Sequence, residues 1–119
     1  MPKISRSPAI ALVACLALGG ACKASKVDTT VAVTGTDTTC SAQQTALHPG
    51  RIRFELTNKS KLTNELYVLG AKDNVIKEVE DVIPGGTAHL DVALKAGSYT
   101  LNCKPGQSGA GFRQAIVVS

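Results

Sequence analysis

The octapeptide RIRFELTN, Arg51 to Asn58, decides the fold. Ile52, Phe54 and Leu56 fall on one side of an extended chain, and Arg51, Arg53 and Glu55 on the other. Alternation with period two marks a half-buried β-strand, because successive side chains of a strand point to opposite faces. His48-Pro49-Gly50 supplies a turn before it, and Asn58 to Lys61 one after it. The same pattern spreads outward along the chain. Val27, Val31 and Val33 alternate inward in a first strand. Similar runs cover Leu66 to Leu69, Val75 to Val82, Ala88 to Leu94, Tyr99 to Cys103 and Gln114 to Val118. Lys72-Asp73-Asn74, Pro84-Gly85-Gly86 and Lys95-Ala96-Gly97 separate them. There is no internal repeat and no helical period. Seven to eight short strands at this spacing predict an all-β fold, a Greek-key β-sandwich of two sheets.

The N-terminus reads differently. Lys3 and Arg6 form a basic region and Ala9 to Leu18 an apolar one, followed by Gly19, Gly20, Ala21 and Cys22. This is an export signal, too short in its apolar part for a membrane span. Residues 1–21 are expected to be a signal peptide of lipoprotein type, 22–26 the anchor and tether, and 27–119 the domain. Cys22 is the expected lipidation site. Cys15, in "LVAC", is the alternative, and would leave a very short apolar region; an ordinary secretory signal cut near Ala21 or Ala24 is another. All of these place the domain outside the cytoplasm, lipid-anchored to the cell membrane or periplasmic.

Without Lys3 and Arg6, the chain from Cys22 onward carries 11 Lys and Arg against nine Asp and Glu. These cations are scattered, and there is no Trp. Nucleic-acid binding, which needs a clustered basic face, is not expected. No nucleophile elbow, HExxH or phosphate-binding glycine loop is present, so the chain is not read as an enzyme.

Strand directions followed from turn to turn bring Cys40, Glu65 and Cys103 to one end of the sandwich and His48 to the other. His89 faces outward beside Asp91. Near the C-terminus, GSYTLNCKPGQSGAGF, Gly97 to Phe112, ends a strand on a cysteine and continues in a Pro/Gly-rich loop, as the metal loop of blue-copper proteins does. A type 1 copper site requires two His, one Cys and a weak axial ligand, often Met. Here Gly106 stands at the place of the second histidine, and Gly111 or Phe112 at that of the methionine. Blue-copper electron transfer is therefore not expected.

The stretches LTNELYVLG, VIKEVEDVIPGGTAHLDVALKAGSYTLNCKPG and FRQAIVVS resemble the N-terminal cupredoxin domain of EfeO, an extracytoplasmic component of bacterial iron uptake. The resemblance spans Val27 to Ser119 and is most specific from Glu65 to Gly106. It implies a cupredoxin-like fold whose copper ligands are exchanged, with Cys40, Glu65 and Cys103 at the characteristic metal positions. Copper or iron would be the cofactor, and an iron permease or another envelope transport component the partner. Members of that family usually continue into an imelysin-type helical domain, which has no counterpart here, so the implied role is that of a stand-alone accessory. The alternative reading of Cys40 and Cys103 is a structural disulfide, the default for two cysteines in an oxidising compartment. The domain would then be a stapled envelope interaction module without metal. Glu78, Glu80 and Asp81 read as a solvated acidic face, and Tyr67 and Tyr99 as core residues.

Overall fold

The computed structural model describes residues 26–119. The signal segment, Cys15 and Cys22 lie outside the described residues. The domain is built from nine strands: β1 Thr29–Gly35, β2 Cys40–Ala42, β3 Ala46–Leu47, β4 Gly50–Asn58, β5 Asn64–Leu69, β6 Val75–Val82, β7 Thr87–Leu94, β8 Gly97–Cys103 and β9 Phe112–Val118. Two single turns of 3-10 helix, Ala71–Asp73 and Pro105–Gln107, are the only helical elements among the described residues. The all-β sandwich expected from the alternation is thus present. The strand total exceeds the expected seven to eight because β2 and β3, three and two residues long, are too short to show a period.

One sheet has the order β2-β1-β4-β7 and the other β3-β9-β8-β5-β6. β1 runs parallel to β4, with Val31 opposite Phe54, and β3 runs parallel to β9. The remaining pairs are antiparallel. Ile52, Phe54 and Leu56 are buried as their alternation requires, and they meet Val31, Val33, Leu90, Val92, Leu66, Val68, Leu101 and Ile116 between the sheets. Each such large apolar side chain stabilises the fold by roughly 1.5–3 kcal/mol on burial. The outward Arg53 lies directly opposite Asp91, and its Nε and Nη2 donate to the two carboxylate oxygens at 2.8 and 2.9 Å.

β6 forms where the sequence indicates, but it is an edge strand. Only Val82 is buried in it, and its pairing with β5 slips between Asn64 and Leu66 and again between Val68 and Leu69. Its charged residues suit an edge, since they discourage pairing with another chain.

The strand directions define two poles. One carries Cys40, Asn58, Asn64, Cys103 and the loop after β8. The other carries Asp28, the His48-Pro49-Gly50 turn, the Lys95-Ala96-Gly97 turn and Ser119.

Candidate metal centre and its disulfide

β2 begins and β8 ends at the same pole, each on a cysteine. Cys40 opens β2 opposite Gly35, and Cys103 closes β8 opposite Leu66 and Phe112. Cys40 and Cys103 form a disulfide, with their Cα atoms 5.5 Å apart. The bond joins the two sheets and is buried, Cys103 completely. Gly35 packs closely beside it: a Cβ there would stand 2.9 Å from Asn64 Nδ2 and 3.6 Å from Cys103 Sγ.

Glu65 belongs to the same pole but to the other face of its sheet. Leu66 and Val68 are fully buried in the core, so Glu65 and Tyr67 share the outer face by strand parity. The Tyr67 hydroxyl donates to Glu65 Oε1 at 2.8 Å. Glu65 is nevertheless only 4% exposed. The side chain of β5 that reaches toward the disulfide is that of Asn64. The structure therefore brings Cys40 and Cys103 together and does not bring Glu65 to their side of the sheet.

On the outer face, the hydrogen bond to Glu65 raises Tyr67 well above the usual tyrosine range, with burial and the Glu65 and Glu78 charges adding to it. The Glu78 charge, then burial and the Glu65 charge, raise the Glu80 carboxyl from its ordinary value. Lys104 Nζ lies 4.7 Å from the Tyr67 ring centroid, a cation–π contact. Tyr67 is thus an outer-face residue and not the core residue expected. Tyr99 does pack against the core, and its hydroxyl donates to the Lys95 carbonyl at 2.7 Å.

The loop after β8 is pinned to the start of β5 by backbone hydrogen bonds. Lys104 N donates to Glu65 O at 3.0 Å, and Gly106 N to Thr63 O at 2.7 Å. Gly106 has φ +78°, a conformation that side-chain-bearing residues rarely adopt. The place of the second copper histidine is thus a backbone contact that favours glycine. Gly111 also has positive φ, and a Cβ on it would collide with the Cys103 carbonyl at 2.5 Å.

The pole also contains a buried polar cluster that the sequence reading missed. Asn58 Nδ2 donates to Leu62 O at 2.9 Å and Val82 O at 2.8 Å. Its Oδ1 accepts from Ser60 N, Ser60 Oγ and Asn64 Nδ2. Asn64 Oδ1 accepts from Glu65 N. The cluster closes the loop between β4 and β5 around Asn58. The available signal was an asparagine at either end of that loop.

His48 lies at the opposite pole, with Nδ1 3.1 Å from Ser119 O. His89 faces outward on β7, but its neighbour Asp91 is engaged by Arg53. Among the described residues, no group of three or more His, Cys, Asp or Glu is arranged to hold a metal. In the disulfide form the two sulfurs are covalently paired and buried, and Glu65 lies on the other face of the sheet. This arrangement does not fit a metal ion on Cys40, Glu65 and Cys103 together.

Two mixed sheets packed face to face, with a cysteine ending the penultimate strand and a Pro/Gly loop leading into the last, define a protein of the blue-copper architectural class without the blue-copper ligands. The chain belongs to the cupredoxin-like domain family, whose match covers residues 8–117. No curated protein sequence matches the chain significantly. Among solved structures it is similar to auracyanin from Roseiflexus castenholzii, with TM-score 0.60 and 14% identity over 79% of this chain and 99% of that one. It is also similar to rusticyanin from Thiobacillus ferrooxidans, with TM-score 0.57 and 17% identity over 80% of this chain and 86% of that one. Auracyanin A from Chloroflexus aurantiacus, a blue copper protein, gives TM-score 0.54 and 17% identity over 76% and 98%. At these identities the likeness establishes the fold alone.

Proposed function

We propose that this protein is an extracytoplasmic, lipid-anchored accessory of an EfeO-type iron-uptake system. In this reading residues 1–21 are removed on export and Cys22 is acylated. The domain from 27 to 119 handles copper or iron and meets an iron permease or another envelope component. The observation that carries the reading is that the domain keeps the copper-loop pole while Gly106 stands at the second histidine's place and Cys103 is bonded to Cys40. Any binding through Cys40, Glu65 and Cys103 then requires reduction of the disulfide, deprotonated thiols, and movement of Glu65 around the end of β5. Two sulfurs favour Cu(I), whereas the carboxylate favours a harder ion.

A second reading has its own support. With Cys103 fully buried in a disulfide and Glu65 on the opposite face, the domain also suits a stapled envelope module that binds a protein and no metal.

One experiment separates the two. The protein is purified without oxygen, with and without a reductant, and its thiols and bound copper and iron are quantified beside Cys103→Ser and Glu65→Gln. Stoichiometric metal in the reduced protein only, weakened by both substitutions and by falling pH, supports the metal-handling reading. No uptake in reduced protein, or uptake indifferent to Glu65→Gln, rejects that ligand set and leaves the stapled module.

A further inference from the structure

We infer that the pole opposite the disulfide docks on an anionic phospholipid surface, with a headgroup phosphate seated between Arg51 and Lys95. The anchor in this inference rests on acylation at Cys22 as proposed above; the docking surface rests on its own geometry.

Chain length limits which end can reach the bilayer. The chain is fixed to the domain at Asp28, whose amide donates to Arg51 O at 2.7 Å and whose carboxylate accepts from Arg51 N at 2.8 Å. Six residue steps lead from Cys22 to Asp28, which at full extension span about 20–22 Å. β4, nine residues long, runs the length of the sandwich, roughly 30 Å. Laying the disulfide pole on the bilayer would lift Asp28 beyond the reach of its tether. The pole carrying Asp28 has no such difficulty.

That pole also has the right chemistry. Lys26, Arg51 and Lys95 stand around it, against the charged carboxylate of Asp28 and against Asp73, which is paired with a cation. Asp28 accepts from the Arg51 amide, and Asp73 is held by Arg113 at 2.9 and 3.0 Å. Glu65, Glu78, Glu80 and Asp81 lie along β5 and β6 toward the other pole. Between Arg51 and Lys95 opens a groove of about 540 Å³, floored by Ile76, Leu94 and Tyr99. Val75 and Ile76 beside it are 48% and 38% exposed. Arg51 lines this groove, and its Nε is buried without a hydrogen-bond partner. The Arg51 and Lys95 cations on either side of the groove balance a phosphate's charge, and the apolar floor accommodates the glycerol and the upper acyl chain. Cationic rim and apolar floor together match the anionic headgroups and adjoining acyl chains of a lipid leaflet, and Asp28 places that pole within reach of the bilayer.

The test uses the full lipidated chain on vesicles of phosphatidylglycerol and phosphatidylethanolamine, and on phosphatidylcholine vesicles. Lysines are acylated with a water-soluble reagent and quantified by mass spectrometry. Lys26 and Lys95 should react at least about fivefold more slowly on the anionic vesicles, as expected when a basic residue sits at a charged surface. Lys59 and Lys61, at the disulfide pole, should react equally on both. The chain has only two tyrosines and no tryptophan, which gives a second readout. Brominated acyl chains should quench Tyr99 emission in Tyr67→Phe and leave Tyr67 emission unchanged in Tyr99→Phe. Lys95→Glu should abolish the quenching of Tyr99. Equal labelling of Lys95 on both vesicle types with unquenched Tyr99, or stronger quenching of Tyr67, overturns the docking surface. The anchor fails separately: if Cys22→Ala remains on anionic vesicles with Lys95 protected, acylation is unnecessary and the docking surface stands. If the chain sediments with neither vesicle type, both are wrong.

Discussion

Replacing both Cys40 and Cys103 by alanine should remove a large part of the domain's stability. The disulfide closes a loop with a sequence separation of 63 residues. On the chain-entropy model such a closure destabilises the unfolded chain, and so stabilises the fold, by about 4 kcal/mol at 25 °C. A single domain of this size has in total about 5–14 kcal/mol, so the loss is a substantial fraction of it. At about 4–8 °C per kcal/mol for domains of 60–100 residues, the melting temperature should fall by roughly 16–32 °C. The double substitution is chosen because a single one leaves a buried, unpaired thiol. The assay is urea and thermal unfolding of the mature chain exported behind a non-lipoprotein leader, followed by circular dichroism, with free thiols counted in denaturant. The parent should show neither of the two sulfurs as a free thiol. The variant's unfolded state, freed of its cross-link, should expose more surface and give a steeper dependence on urea. A loss below about 1 kcal/mol, against the chain-entropy value of about 4, would refute the reasoning. So would two free thiols in the parent. Two free thiols in the parent would return Cys40 and Cys103 to the metal reading as reduced ligands.

Three further outcomes follow from the pole. Gly106→His should cost about 1–2 kcal/mol, because a side chain is forced into left-handed backbone at φ +78°; added Cu(II) should give no blue absorbance, and a blue band would show that the loop rebuilds a copper site. Asn58→Ala should cost roughly 3 kcal/mol in chemical unfolding, since it strips buried partners from Ser60, Leu62 O and Val82 O; a change below about 1 kcal/mol would show that water replaces them. Tyr67 should ionise later than an ordinary tyrosine in an alkaline ultraviolet titration, because its hydroxyl donates to Glu65. Its folded value lies above its unfolded value, so the stability it contributes is present below about pH 10 and is lost as pH rises through the folded value; Glu65→Gln should bring the ionisation back down, and an unchanged titration would remove Glu65 as its cause.

The parts of this fold that were legible are those with a period. RIRFELTN alternates over eight residues, and its inward and outward sets fall as read. β2 and β3 carry no alternation of their own and form because the flanks of β1 and β9 offer unpaired backbone to them. At the pole, counting turns was enough to gather Cys40, Glu65 and Cys103 at one end, because it tracks strand direction. It does not track facing. A shift of one residue exchanges the two faces of a strand, and Glu65 and Asn64 differ by that shift. The parity of Leu66 and Val68 held the missing information: both are apolar enough to face the core, which sends Glu65 outward with Tyr67 and turns Asn64 inward. The buried cluster around Asn58 was not legible, since asparagine at a strand end is equally consistent with a solvated turn.

The pole keeps a copper loop's outline because each vacated ligand position has acquired a structural task. In a copper site the ion itself draws together the loop after the cysteine strand and the strand beside it. Here Gly106 N bonds directly to Thr63 O, and Lys104 N to Glu65 O, so backbone alone holds the loop against β5. The Cys40–Cys103 bond ties the edge of one sheet to the middle of the other. A loop held this way does not need an ion for its shape. Reduction of the disulfide would leave the backbone contacts in place while freeing two thiols inside an otherwise intact pole. That property follows from where the hydrogen bonds lie, and it holds whether the reduced state meets a metal or only the reductant that produced it. Amide hydrogen exchange measures it directly. Gly106 and Lys104 should remain protected after reduction, whereas the amides of β2, an edge strand tied to the second sheet in part by the disulfide, should exchange faster. Simultaneous loss of protection at Gly106 and β2 would mean that the disulfide, and not the backbone, holds the loop.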